Sequence, residues 1–157
     1  MTSQWIKVYV EGNGALINDI EADIKSIRKT CTNVMTRGKY LYITFPGIVI
    51  EYRDELFDFG DCRTKISSNG RVYIQTERGT HPHSDGPYPD AVLCTGFLFY
   101  DAFINGQLLD AIDVLNAIIR NYDEFDSNIN LFRAYKIVTY CKKCFEMLEE
   151  NKRCSYC

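Results

Sequence analysis

Tyr40-Leu41-Tyr42-Ile43-Thr44-Phe45-Pro46-Gly47-Ile48-Val49-Ile50-Glu51-Tyr52 decides the fold of this chain. The stretch is dense in Tyr, Ile, Val and Phe, which suit a pleated, half-buried surface, and Pro46-Gly47 divides it. The pattern predicts neighbouring strands at 40–45 and 47–52. Residues 56–59 and 62–66 continue the sheet, with Gly60-Asp61 as a turn. Ser67-Ser68-Asn69-Gly70 is a stronger turn signal, and Arg71-Val72-Tyr73-Ile74-Gln75-Thr76 is the last clear strand. Short connections between successive strands predict an antiparallel four-stranded meander.

Upstream, apolar residues fall at Ile17, Ile20, Ile24, Ile27 and Cys31, in alternating steps of three and four. That is one face of an amphipathic helix, expected to run from Ala15 to about Thr30 or a little beyond, with Arg37-Gly38-Lys39 as its exit. Before it lie a short apolar start (Trp5, Ile6, Val8, Val10) and a turn at Glu11-Gly12-Asn13-Gly14. Downstream, residues 79–90 lack any period and hold both histidines and three of the four prolines, which predicts a loop. Ala91-Val92-Leu93-Cys94 then returns the chain to the core. Helical period resumes after Asn105-Gly106, with Leu108, Leu109, Ile112, Leu115, Ile118, Ile119 and Tyr122 on one side. Residues 123–128 interrupt it, and 129–138 predict a further helix. Helix, meander, irregular loop and helices make an α+β layout.

The chain has 157 residues, 46% hydrophobic and 25% charged, which suits an ordinary hydrophobic core and excludes wholesale disorder. Its net charge is −3, with a pI of about 5.4. A broad grip on phosphates needs a basic face, so nucleic acid is not expected as a partner. No apolar run approaches the roughly 20 residues that span a bilayer, and Met1-Thr2-Ser3-Gln4-Trp5-Ile6-Lys7 lacks the pattern of a signal peptide. These features predict a soluble cytoplasmic protein without a membrane partner. The seven cysteines agree: Cys31, Cys62 and Cys94 are scattered and four crowd the last seventeen residues, a usage that fits a reducing compartment with a metal site.

His81-Pro82-His83, then Cys94 behind an irregular loop, then a helix ending in an acidic turn, resembles the ubiquitin-conjugating enzymes over about residues 15–137. It is similar in particular to divergent bacterial and phage members, in which His-Pro-His often replaces His-Pro-Asn and Cys-x-Gly follows, as in Cys94-Thr95-Gly96. The resemblance implies a transferase in which Cys94 carries a ubiquitin-like modifier as a thioester and passes it to an amine. His83 would stand where the family places its oxyanion-stabilising Asn, Asp126 would orient the incoming lysine, and His81 joins the candidate set beside them. The loop from His83 to Cys94 is longer than the family's, Trp is absent after Cys94, and no Tyr-Pro…Pro-Pro segment precedes the last strand.

The chemistry asks for an accessible thiol and a donor near the oxyanion, whose loss typically costs about 10²–10³ in rate. Other readings stay open. Cys94 also suits a small core residue, and His81 a structural ring bonded to loop backbone. His81, His83 and Cys94 are three ligands of a metal site that lacks an evident fourth, and Asp123, Glu124 and Asp126 suit a solvated turn.

Cys141-x₂-Cys144-x₉-Cys154-x₂-Cys157 is the most specific motif in the chain. A two-residue spacer turns both sulfurs of a pair toward one ion, and two pairs complete a tetrahedral Cys₄ site with Zn–S of about 2.3 Å. Lys142, Lys143, Lys152 and Arg153 offset its residual negative charge. A redox dithiol and two disulfides are the rival readings; structural zinc is the expected cofactor. The sequence thus divides into a ubiquitin-conjugating-enzyme-like domain, 1–137, and a zinc knuckle, 138–157. The leading function is a conjugation carrier whose partners are a modifier, an activating enzyme and a target protein. The alternative is a catalytically silent adaptor or assembly protein of the same fold, in a phage or bacterial complex.

Overall fold

A computed structural model describes residues 2–52, 55–85, 90–121, 138–141 and 147–148. The chain opens with two helices, α1 (Gln4–Asn13) and α2 (Ile17–Ile27). The apolar start is therefore helical. Ser3 caps it, its Oγ accepting the amide of Ile6 at 3.2 Å, and Trp5, Ile6, Tyr9 and Val10 form its buried side. On α2 the predicted stripe is buried at Ile20, Ile24 and Ile27.

The helix stops at Ile27. Residues 28–30 form a turn, and Thr32–Arg37 is a strand, β1. Arg37-Gly38-Lys39, expected as a helix exit, is the hairpin turn into β2 (Tyr40–Tyr52), with Arg37 opposite Tyr40. Thr32, Val34 and Thr36 are β-branched and pack better on a pleated surface than in another helical turn. β2 pairs with β3 (Glu55–Ser67), β3 with β4 (Val72–Thr76), and β4 with β5 (Ala91–Val92), all antiparallel. An antiparallel meander is present, but its four long strands are β1 to β4.

Pro46-Gly47 and Gly60-Asp61 are not turns. They lie within β2 and β3, where the register shifts between Phe45 and Ile48 and again before Val49. Gly47 (φ 58°) and Gly60 (φ 71°) take the left-handed backbone that such bulges require. Pro46, which has no amide to donate, sits where the ladder is already interrupted. Two predicted pairs of short strands are thus two bent thirteen-residue strands.

The helices pack on the inner face of the sheet. Trp5 stacks on Tyr9 at 5.0 Å, and Phe103 meets the Tyr9 ring edge-on at 4.8 Å. The Trp5 indole donates to the Ile66 carbonyl (2.9 Å) and the Tyr9 hydroxyl to the Phe103 carbonyl (2.7 Å), so both polar tips are satisfied in the core. α3 (Gly96–Ile104) is helical although its apolar residues show no clear period, and α4 (Leu108–Arg120) buries Leu108, Ile112, Leu115 and Ile119 as its spacing predicts, together with Ala111, while Leu109 and Ile118 are half-buried.

At the end of α4, Arg120 donates to the carbonyls of Pro46 (3.0 Å) and Gly47 (3.3 Å) and to Asn116 Oδ1 (2.8 Å). The bulge in β2 exposes these carbonyls, and the guanidinium pins the helix end to them. Residues 129–137 of the further expected helix lie outside the described residues, and Val138 begins a strand, β6 (Val138–Cys141). β6 pairs with the first half of β3, Glu55 opposite Cys141, whereas β4 pairs with the second half. β7 (Met147–Leu148) pairs with β6. The segment expected as a knuckle, 138–157, thus begins with a strand that pairs with the main sheet. Among the described residues no helix is long and apolar enough to cross a membrane.

Candidate functional site

The loop after β4 returns to the core at Thr80 and His81, both buried. His81 is wedged between the sheet and the end of α4. Its Nε2 lies 2.7 Å from the Ile119 carbonyl, which can only accept, so this nitrogen carries the proton. Its Nδ1 accepts the amide of His83 at 3.1 Å. The two bonds fix one neutral tautomer. Burial pushes the ring's pKa down to about 4, against an opposing contribution from the Ile119 hydrogen bond.

His83 repeats the arrangement one step along. Its Nε2 donates to the Asn121 carbonyl at 2.9 Å, and its own carbonyl accepts the amide of Cys94 at 2.9 Å. Ser84 returns to the His81 carbonyl through its amide (3.0 Å) and hydroxyl (2.6 Å). Asp85 closes the far side, its carboxylate accepting the Val92 amide (2.9 Å) and its amide donating to the Val92 carbonyl (3.0 Å). Both arms of the loop are drawn together, and Cys94 is held by its backbone just before α3.

Cys31, Cys62 and Cys94 differ sharply. Cys62 is fully buried in β3, where burial pushes its thiol up to about 12. Cys31 is buried below the helices, and burial raises it too, with the Thr30 hydroxyl opposing. Cys94 is exposed. The structure thus brings His81, His83 and Cys94 into one loop with the thiol outward. Asp126 lies outside the described residues.

A metal held by His81, His83 and Cys94 has no chemical footing here. One His81 nitrogen gives its proton to a carbonyl and the other accepts an amide, so neither keeps a lone pair for an ion. Of the cysteine tail, Cys141 is described as the last residue of β6; Cys144, Cys154 and Cys157 lie outside the described residues.

Sequence reasoning missed the partners of both histidines. They are main-chain carbonyls at the end of α4, which no side-chain pattern reveals. It also missed α3, where Phe97, Leu98 and Tyr100 are 74%, 70% and 51% exposed beside Cys94. Asp85 was the one legible signal, an Asx-type residue able to close its own loop. Compared with known proteins, the chain matches no family model, no curated protein and no solved structure.

Proposed function

We propose that this protein is a carrier for a ubiquitin-like modifier, with Cys94 as the acceptor. The observation that carries the reading is the contrast between an exposed Cys94 and buried Cys31 and Cys62. A thiol held by its backbone on a cross-braced loop, with its side chain in solvent, is what thioester exchange needs. The Cys94 thiolate attacks the modifier's thioester carbonyl on the activating enzyme and expels that enzyme's thiol. A target amine then attacks the new thioester and releases Cys94. The four-stranded meander, the His-Pro-His loop, the exposed cysteine and the following helices support a ubiquitin-conjugating-enzyme-like fold, with α1 and α3 as additions to it. On this reading His81 is a positioning residue, and Asp126 supplies the carboxylate that orients the amine.

Structural zinc at Cys141, Cys144, Cys154 and Cys157 belongs to the same proposal. Its support is the motif spacing together with the β6–β7 pairing, since Cys141 ends one arm of a hairpin and Cys144 lies in its connecting sequence. The ion would tie the tail without taking part in transfer. Free thiols at Cys31, Cys62 and Cys94 fit a reducing cytoplasm.

One observation favours the silent adaptor as a second reading. A neutral His83 has one ring N–H, and the Asn121 carbonyl takes it. The ring offers an oxyanion no further donor in that state, and the exposed apolar side chains of α3 would then serve protein contact. Incubation with an activating enzyme, a ubiquitin-like modifier and ATP, followed by a non-reducing gel, separates the two. A carrier gives a band that dithiothreitol removes and Cys94→Ala abolishes. An adaptor gives none.

A further inference from the structure

We propose that the outer edge of β1 takes up an extended acidic peptide of a partner protein as an added strand. β1 is the first strand in the sheet order and pairs only with β2 among the described residues. Gly38-Lys39 joins the two through a two-residue turn, so Arg37 and Tyr40 exchange main-chain bonds, as do Met35 and Tyr42 further along. Thr36, between them, therefore turns its amide and carbonyl away from the sheet. The Val34 carbonyl is turned out as well, because it accepts the Arg28 Nε at 3.2 Å.

This edge opens into a groove of about 780 Å³ between β1 and the first two helices. Ser3 and Ile6 of α1, Lys25 and Arg28 at the end of α2, and Thr36 line it. Lys25 and Arg28 are exposed and make no ion pair among the described residues, and Lys29 and Arg37 follow Arg28 and Thr36 in the chain, also exposed. Glu21 is the one carboxylate in the lining, about two turns of α2 before Arg28, where it accepts the Thr2 hydroxyl at 3.4 Å. The other carboxylates of α2 lie elsewhere: Asp23 accepts the Leu109 amide (3.4 Å) and Asp19 lines a cleft at the turn between α1 and α2. β1 itself carries none.

Outward main-chain donors and acceptors at strand spacing are satisfied by another extended chain. A phosphate or a membrane surface would use the cations and leave these groups unmet. A second copy, paired edge to edge about a two-fold axis, would set its own Lys25 and Arg28 against these. Arg28 also supplies the preference for acid. It occupies the Val34 carbonyl, and an incoming strand has to displace it. A peptide carboxylate gives the released guanidinium a bidentate partner, which a neutral strand does not.

The test is fluorescence anisotropy of fluorescein-labelled Val-Glu-Val-Glu-Val-Glu-amide with the full-length protein at low salt. The peptide should bind, and its Val-Lys counterpart should not. Two further peptides carry N-methyl groups on all Val or on all Glu. One should lose binding and the other keep it, since only every second amide faces β1. Equal behaviour of the two, whether both bind or both fail, overturns the proposal, as does absence of parent binding at about 100 µM protein. Arg28→Glu should weaken binding at least about tenfold, and indifference to it also overturns the proposal. Thr36→Pro removes an amide that the sheet does not use and should abolish binding. If the peptide stays unbound while sedimentation shows a dimer that Thr36→Pro dissolves, the edge belongs to a second copy and the proposal fails. The methylated peptides use the unaltered protein, so they decide the matter even if Thr36→Pro loosens the fold.

Discussion

The core beneath α1 and the two histidines of the loop that carries Cys94 are both buried, yet they are held by different physics. Trp5, Tyr9 and Phe103 interlock through ring contacts and apolar burial, which are indifferent to protonation. His81 and His83 are held by directional bonds to the carbonyls of Ile119 and Asn121, and the His81 pair works only while that ring is neutral. The first region should therefore fail by loss of volume and the second by gain of a proton. A protein built this way can loosen its candidate site without melting its core.

The largest expected effect lies in the core. Phe103→Ala removes the ring shared by Trp5, Tyr9 and Phe99 and should cost about 3–5 kcal/mol in urea unfolding, with little change between pH 7 and 5. A cost under about 1 kcal/mol would break the contrast.

The loop comes next. His81 titrates at about 4 when folded and near 6.5 when unfolded. Between those values the unfolded chain binds more protons, so stability is full above pH 6.5 and falls as pH drops toward 4, by roughly 3 kcal/mol at most. Urea titrations at pH 7.0, 5.5 and 4.5 should show this decline, and His81→Gln should flatten it. An equal decline in both proteins would assign it to carboxylates elsewhere.

Arg120→Met should cost about 2 kcal/mol, because it leaves the Pro46 and Gly47 carbonyls without their charged donor. The same variant should speed alkylation of Cys94 relative to Cys62, read by mass spectrometry, since α4 ends where the histidines attach. Tyr9→Phe is the smallest change, about 1 kcal/mol in thermal or urea unfolding. It removes one hydrogen bond from a carbonyl that also accepts the Gly106 amide.

How much of this was legible depended on whether a signal was periodic. The faces of α2 and α4 followed from spacing alone, as did β4 and the loop after it. The glycine positions 47 and 60 were conspicuous but ambiguous, because a tight turn and a bulge ask the same left-handed backbone of them. Only pairing with the neighbouring strand tells the two apart. α3 was hidden because Phe97, Leu98, Phe99 and Tyr100 form an unbroken apolar run. At the site, the sequence offered Cys94 and both histidines as candidates. It could not show that Cys94 faces out, or that both rings are spent on main-chain carbonyls, because these depend on contacts distant in sequence.

The pairing of β6 with β3 bears on how the chain tolerates shortening. Glu55, Leu56, Phe57 and Asp58 stand opposite Cys141, Tyr140, Thr139 and Val138, and these partners come from the far end of the sequence. A chain ending before Val138 would leave that edge of β3 with open amides and carbonyls, a template on which another copy can add a strand. Proteolysis within 122–137 should therefore yield a fragment that self-associates rather than a tidy smaller domain. The tail, whatever it binds, also works as a chaperone for one edge of the sheet.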